Sequence, residues 1–304
     1  MDAPLSGQLV HLADKGNLIL VVRDAREKGT DKRPTITLEE DDVEAMDFIL
    51  SNIHCKGSRI NDDFTALAIV DIAVQSDKYD CNDALTSWIR LWCDPDRFPV
   101  SNASQVRDMG YGLLAAYLFR SPKLVAMSGK YVRKLPSDFA ISWKSYKHMS
   151  RLPSIVRDTL TREITTAQSK IRLQVLSTLT ELLGHDDWWP SGNPDAEGTP
   201  PRSCAAQYIE ALARLNIWPS LLPFETHSAE DLTCIIHTLP PFLNNEDILR
   251  DALHNLYYDA YAIKDGMEGV SLALALGADS EGGDNGSDES AESDSGQSSS
   301  TSHW

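Results

Sequence analysis

The fold is decided by a stretch that reads ITLEEDDVEAMDFILSNIHCKG over residues 36–57 and SDKYDCNDALTSWIRLW over residues 76–92. In the first segment, apolar residues recur at three- and four-residue steps from Val43 to Ile53, which predicts an amphipathic helix. The acids Glu39–Asp42 stand just before this helix, where the positive end of the helix dipole favours negative charge. Gly57 is expected to end the helix.

Two more helices are predicted in the rest of this stretch. Residues Phe64–Val74 are apolar nearly all round, and a helix of that kind must be buried. Asn82 or Asp83 is expected to begin the next helix, whose apolar stripe includes Trp88 and Trp92. The prolines that follow this stripe should end it.

Strands are predicted only before these helices. Leu18–Val22 is a β-branched apolar run that follows a turn-like tetrad, and Pro34–Leu38 is a second short strand. The charged segment between them contains Gly29 and is interpreted as a loop.

The second half of the chain is helical in pattern throughout. Periodic apolar positions predict helices over residues 106–118, 122–132, 160–182, 205–215, 228–239 and 248–260. The segment His185–Arg202 is rich in Pro, Gly and Asp and is predicted to be a loop. It carries Trp188-Trp189-Pro190, which either plugs the core or presents a binding anchor. From residue 278 onward apolar residues are scarce, so this tail is expected to be disordered.

Charge bears on which partners the protein binds. The 304 residues are 42% hydrophobic, enough for a packed core, and carry a formal net charge of -17. Residues 279–304 hold seven acids and no Lys or Arg, which leaves about -10 on the remainder. An acidic body repels phosphate backbones and disfavours nucleic-acid binding. The basic run Lys130–Lys134 is interpreted as a solvated helix end, with an acidic partner as the alternative.

The five cysteines are dispersed and form no CxxC pair, which argues against a disulfide framework and against a zinc site. Free thiols in a reducing compartment are the simplest interpretation. The N-terminal residues do not resemble a signal peptide, and the longest apolar runs are too short to cross a bilayer. We therefore expect an intracellular protein, cytoplasmic or nuclear.

The sequence carries no recognisable catalytic constellation. It has no GxSxG elbow and no Gly-rich phosphate loop, and its carboxylate pairs stand at helix starts or in loops. A metal at His185-Asp186-Asp187 lacks the paired spacing of known sites. No enzyme activity, cofactor or metal is predicted.

Five elements in a fixed order carry a resemblance to a known family. They are the turn and strand Asp14–Val22, the strand and acidic helix start Ile36–Asp42, the helix end at His54, the corner Asp77–Cys81, and the Trp-bearing helix Ala84–Trp92. In this order they resemble the BTB/POZ domains of filamentous fungi. Only Arg23–Thr35 separates the strands, too short for the two helices and strand that this family has there, so the domain would be a shortened one.

The resemblance implies an α+β fold that is predominantly α-helical, with a small β element and BTB-like helices followed by an all-α extension. The expected organisation is an N-terminal tail (1–11), a shortened BTB/POZ-like domain (12–93), a helical extension (94–277) and a disordered acidic Ser-rich tail (278–304). The implied function is a non-enzymatic protein-interaction module, an adaptor or scaffold. Its partner would be another BTB chain or a cullin-type ubiquitin ligase scaffold, and homodimerisation is left open by the shortening.

The candidate interaction positions are the signature residues of that match. They are Asp41, Asp42, His54, Asp77, Lys78, Tyr79, Asp80, Cys81, Trp88 and Trp92. Each has a purely structural alternative: the acids as helix caps, the histidine facing a helix C-terminus, the tryptophans in the core. Two other functions stay open, a degenerate BTB remnant without independent function and an enzyme of unrecognised class.

Overall fold

The structure is a computed structural model that describes residues 19–22, 35–38, 41–54, 64–186, 204–220, 222–238 and 247–277. The helices are α1 Val43–Ile53, α2 Ala66–Lys78, α3 Thr86–Trp92, α4 Gln105–Leu118, α5 Leu124–Val132, α6 Phe139–Trp143, α7 Ser154–Asp186, α8 Cys204–Arg214, α9 Leu222–Thr226, α10 Ala229–His237, α11 Asp247–Asp265 and α12 Leu272–Ala275. Short 3-10 turns occupy Asn82–Leu85, Asn102–Ser104 and Met149–Arg151.

The prediction of an α+β fold is wrong. The strands β1 Ile19–Val22 and β2 Thr35–Leu38 pair in parallel with each other, and within residues 41–277 the described part of the chain contains no strand. The small β element of a BTB-like domain is not seen. A two-stranded ladder of four-residue strands is too small to organise a core. The apolar residues after position 41 recur at helical steps, so they are buried between helices without a sheet.

Helix starts are fixed by side chains that accept hydrogen bonds from backbone amides. Asp42 accepts from the Ala45 amide at 3.0 Å and so caps α1. Thr65 caps α2 in the same way. Ser228 and Asp231 form a reciprocal capping box at the start of α10.

Three helix ends share one left-handed geometry. The residue after the cap has a positive φ at Asp80 (53°), Arg120 (52°) and Asn216 (58°). In each case the following amide donates to the carbonyl five residues earlier, as Cys81 does to Ser76 at 2.9 Å. This is the Schellman arrangement, and it returns the chain sharply after α2, α4 and α8.

The core centres on α2, which packs against α1 and α4. Its residues from Ile69 to Ser76 are all buried, as the nearly continuous apolar pattern predicted. The glycines of α4 allow close approach: a Cβ at Gly110 would lie 2.8 Å from the indole of Trp143. The buried side chains before and after residue 93 belong to one cluster.

A buried carboxylate ties α2 to the segment after α6. Oδ1 of Asp71 accepts from Lys147 Nζ at 2.7 Å and from His148 Nε2 at 2.8 Å. Burial of a carboxylate is tolerated when cationic or N–H donors surround it.

The longest helix, α7, organises the second half. It has 33 residues, which corresponds to about 50 Å. Within the described part of the chain, α5 and α8–α12 all contact α7. The helix continues four residues beyond residue 182, where the predicted helix ends. Gly184 is exposed, and nothing lies within 4 Å of the place where its Cβ would stand.

The other predicted helices lie close to their expected positions. The sequence missed the short helices α6, α9 and α12, which are too short for a periodic apolar stripe. The predictions for the loop 23–33, the helix stop at Gly57, most of the loop 185–202 with Trp188-Trp189, and the acidic tail lie outside the described residues. No described helix combines the length and the apolar character that crossing a membrane demands.

Candidate functional site

A cluster of four polar side chains lies between the start of α1 and the end of α2. We call these residues, Asp41, Gln75, Lys78 and Tyr79, the polar corner. The Asp41 side chain is completely buried. Its Oδ1 accepts from Lys78 Nζ at 2.7 Å, and its Oδ2 accepts from the Tyr79 hydroxyl at 2.5 Å. With its amide nitrogen turned toward Asp41, Gln75 donates to Oδ1 at 2.8 Å and accepts from the Asp42 amide.

The polar corner has a clear electrostatic signature. The hydrogen bond to Asp41 raises the pKa of Lys78, against an opposing effect of burial. Burial raises the pKa of Tyr79, and the hydrogen bond to Asp41 adds to this rise. All polar groups of the corner face each other, so its arrangement fastens the entry of α1 to the end of α2.

The Asp77–Cys81 corner is the Schellman turn after α2. Asp80 supplies the left-handed residue, a conformation that Asp adopts more readily than most side chains. The Cys81 thiol lies 3.3 Å from the Tyr79 carbonyl oxygen, and burial followed by the nearby Asp80 charge raises its pKa. A raised thiol pKa disfavours the reactive thiolate.

One amide joins this turn to α4. The Asn82 side chain contacts the Ser76 hydroxyl at 2.6 Å and donates to the Leu118 carbonyl at 3.0 Å. The ends of α2 and α4 are therefore held side by side. His54 lies apart from these contacts: it is the exposed C-cap of α1.

The two tryptophans of α3 belong to an aromatic cluster. Trp88 and Trp92 have ring centroids 5.5 Å apart, and both contact Phe48. Trp92 also stacks on Phe119, and it is buried. Trp88 is half-buried, and its indole N–H donates to Oδ1 of Asn52 at 2.9 Å, which fixes the orientation of the ring.

Both tryptophans line a surface depression that we call the aromatic groove. Its volume is 300 Å³, and it is lined by Phe64, Ile69, Trp88, Leu91, Trp92, Arg97 and Pro99. Leu91 is 38% exposed although it is a large apolar residue. No described carboxylate forms an ion pair with the exposed Arg97 side chain, which is the one charged group of the lining.

The structure thus brings five of the ten predicted positions together in two places. Asp41, Lys78 and Tyr79 meet in the polar corner, while Trp88 and Trp92 line the aromatic groove. Sequence reasoning missed Phe64, Leu91 and Arg97 as groove residues. The sequence did indicate that Leu91 is exposed, because this residue lies outside the apolar stripe of its helix and can therefore face the solvent.

Within the described residues, no cluster of three or more His, Cys, Asp or Glu side chains is arranged to hold a metal ion. Cys81, Cys93 and Cys234 are free thiols.

Comparison with known proteins gives no relative. No protein-family model matches the chain. No curated protein matches it, and no solved structure does so either. The BTB/POZ resemblance is therefore neither supported nor refuted by these comparisons and stays a prediction.

Proposed function

We propose that this chain is a non-enzymatic protein-interaction module that binds a short apolar segment of another protein in the aromatic groove. The observation that carries the proposal is the composition of the groove lining: two tryptophans, a phenylalanine, an exposed leucine and an arginine. Aromatic residues and arginine are the types that contribute most binding energy in protein interfaces.

The groove is suited to a partner of defined chemistry. A volume of 300 Å³ accommodates one or two large apolar side chains, the anchors that such segments insert. Arg97 at its edge favours a carboxylate beside the anchor. The hydrogen bond to Asn52 holds Trp88 in place before binding, which reduces the entropic cost of association. The partner segment thus combines a Leu, Phe or Trp anchor with an adjacent Asp or Glu.

The family resemblance extends this proposal to particular partners. A cullin-type scaffold or another BTB chain would then be the partner, and the protein would act as an adaptor inside the cell, in the cytoplasm or nucleus. These partner assignments rest on the sequence resemblance.

A peptide selection on the full chain tests the groove. A random peptide library displayed on phage is selected against the wild type, and the enriched peptides are measured against Leu91→Glu. Leu173→Glu on α7 is the matched control, because Leu173 is a helical leucine with 63% exposure and lies outside the groove lining. We expect enriched peptides with an apolar anchor and an acid, unchanged affinity for Leu173→Glu, and at least tenfold weaker binding to Leu91→Glu.

Two results would contradict the proposal. Selected peptides that bind Leu91→Glu as tightly as the wild type would place binding elsewhere. Light scattering of the full chain that shows a dimer, with Leu91→Glu monomeric, would mean that a second copy of the chain occupies the groove instead of a foreign segment.

A further inference from the structure

A second surface stands out by its charge. A pocket of 440 Å³, which we call the basic pocket, lies between α5 and the residues just after it, the start of α10 and the end of α11. It is lined by Val125, Ala126, Gly129, Lys130, Arg133, Lys134, Glu230 and Lys264. Four cationic side chains and one acid line it, and two further acids, Asp96 and Asp265, pair with the lining cations from outside. The pocket keeps an excess of positive charge in a chain whose net charge is -17.

The cations of the basic pocket have partners that a ligand can replace. Lys130 Nζ donates to Asp96 Oδ1 at 2.7 Å and to the Pro95 carbonyl at 2.7 Å, and the Asp96 side chain is 85% exposed. Arg133 contacts Asp265 at 2.9 Å, again at the surface. Exposed ion pairs contribute little stability, because water screens them and long side chains must be ordered to form them.

Two of the cations are only weakly engaged. Lys134 lies 3.7 Å from Glu230, beyond hydrogen-bond distance. Lys264 lies over the ring of Tyr261, and the ion pairs of the described residues do not include it. The pocket therefore has donors available for anionic groups.

The chain returns to this pocket just before its acidic tail begins. The Val270 amide donates to Ser128 Oγ on α5 at 2.6 Å. Gly269 lies so close to α5 that a Cβ on it would meet the Val125 carbonyl oxygen at 2.1 Å. The described chain then passes through α12 and ends at Gly277. The acidic segment 279–304 thus follows within ten residues of a backbone contact at the pocket edge.

We infer that the basic pocket is a binding site for acidic peptide, and that its occupant is residues 279–304 of the same chain. This segment carries seven carboxylates and no Lys or Arg. The rest of the chain has a net charge of about -10, so most of the surface repels the segment while the basic pocket attracts it.

Chain length permits this contact. Twenty-six residues span at most about 85 Å when fully extended, more than enough to fold back from α12 to α5. Tethering raises the effective concentration of the segment to the order of millimolar, so even weak multivalent pairing fills the pocket. A foreign acidic peptide would have to compete with the tethered one, and for this reason the chain's own tail is the occupant.

Lysine reactivity in the full chain measures the contact. The seven tail acids are replaced by their amides, Asp→Asn and Glu→Gln, and lysines are modified with a limiting acetylating reagent and quantified by mass spectrometry. We expect at least threefold faster modification of Lys134 and Lys264 in the neutralised chain, and the same gain in the wild type at 1 M NaCl. Lys144 and Lys170, exposed and outside the pocket, are the internal controls and should not change.

A zero-length carbodiimide cross-link on the wild type gives a second, independent measurement. We expect tail carboxylates joined to Lys130, Lys134 or Lys264, and in an equal mixture of ¹⁴N and ¹⁵N chains the linked peptides should carry one isotope only. Mixed-isotope products would mean that the tail binds a neighbouring copy, which overturns the intramolecular assignment. Cross-links spread evenly to Lys144 and Lys170, or no change in lysine reactivity, would overturn the site. None of these outcomes depends on the aromatic groove.

Discussion

The hydroxyl group of Tyr79 donates a hydrogen bond of 2.5 Å to Oδ2 of Asp41, a residue 38 positions earlier in the chain. This bond joins the end of α2 to the entry of α1 through a fully buried carboxylate. The contact connects the second and fourth of the five sequence elements that carry the family resemblance, and it holds these two elements together.

Replacing Tyr79 by Phe removes this donor from a buried acceptor. We expect Tyr79→Phe to lower the free energy of unfolding by about 1 kcal/mol, because a hydrogen bond to a charged group is lost while the ring stays partly exposed. Urea denaturation followed by circular dichroism measures the change. Tyr258→Phe is the control, because that ring is 55% exposed. Equal effects of the two substitutions would contradict the role assigned to the polar corner.

Two glycines in helices should respond in opposite ways to the same substitution. Gly110→Ala places a methyl group 2.8 Å from the Trp143 indole, so we expect a loss of about 1–3 kcal/mol through overpacking. Gly184→Ala meets nothing within 4 Å and should stabilise α7 by about 0.5–1 kcal/mol. Thermal and urea denaturation of both variants test this pair. A stabilised Gly110→Ala would show that α4 and Trp143 are not in close contact.

The buried thiol of Cys93 should make stability depend on pH in the alkaline range. Burial raises its pKa from 9.0 to about 11. A raised pKa in the folded state means that the thiol ionises more readily on unfolding, so its contribution is complete below pH 9 and is lost as the pH rises through 11. The unfolding free energy of the wild type relative to Cys93→Ala should therefore fall by about 2 kcal/mol between pH 8 and 10.5. A difference that stays constant over this range would mean that the thiol is accessible to solvent.

Ser128 should control the local stability of the chain that leads into α12. Its hydroxyl donates to the Leu124 carbonyl at 2.7 Å and accepts from the Val270 amide. Ser128→Ala leaves that amide without a side-chain acceptor, so we expect its hydrogen exchange to accelerate about tenfold. Ser145→Ala is the control, because that exposed hydroxyl contacts only the carbonyl of Ser142, three residues earlier. Unchanged exchange at Val270 in Ser128→Ala would contradict the contact.

Much of the helical part of the fold could be predicted from the sequence, because each long helix buries a stripe that recurs at three- and four-residue steps. The caps at Asp42 and Ser228 were also readable, since a short polar side chain stands just before an apolar run. The fold class could not be predicted correctly, because two short β-branched runs satisfy a strand pattern whether or not a sheet forms around them. The resemblance to a family with a β element reinforced that error.

The candidate sites were only partly predictable. Trp88 and Trp92 were named, but the groove needs Phe64 and Arg97, which come from neighbouring segments that a linear pattern does not join. The basic pocket combines Lys130–Lys134 with Lys264, more than a hundred residues apart, and the sequence displayed only the first of these. Local spacing predicts which face of a helix is buried, whereas tertiary packing decides which faces meet.

The long helix α7 also imposes an order on biosynthesis. Helices α8–α12 pack on it, so as the chain emerges from the ribosome they lack a surface to dock on until residue 186 has been made. Among the earlier helices, α2 can pack on α1 and α4 before α7 is made, whereas α5 also needs α7 as a partner. A pause in translation near the end of α7 would therefore separate two stages of assembly, and a truncated product that stops within α7 would keep the aromatic groove but never form the basic pocket.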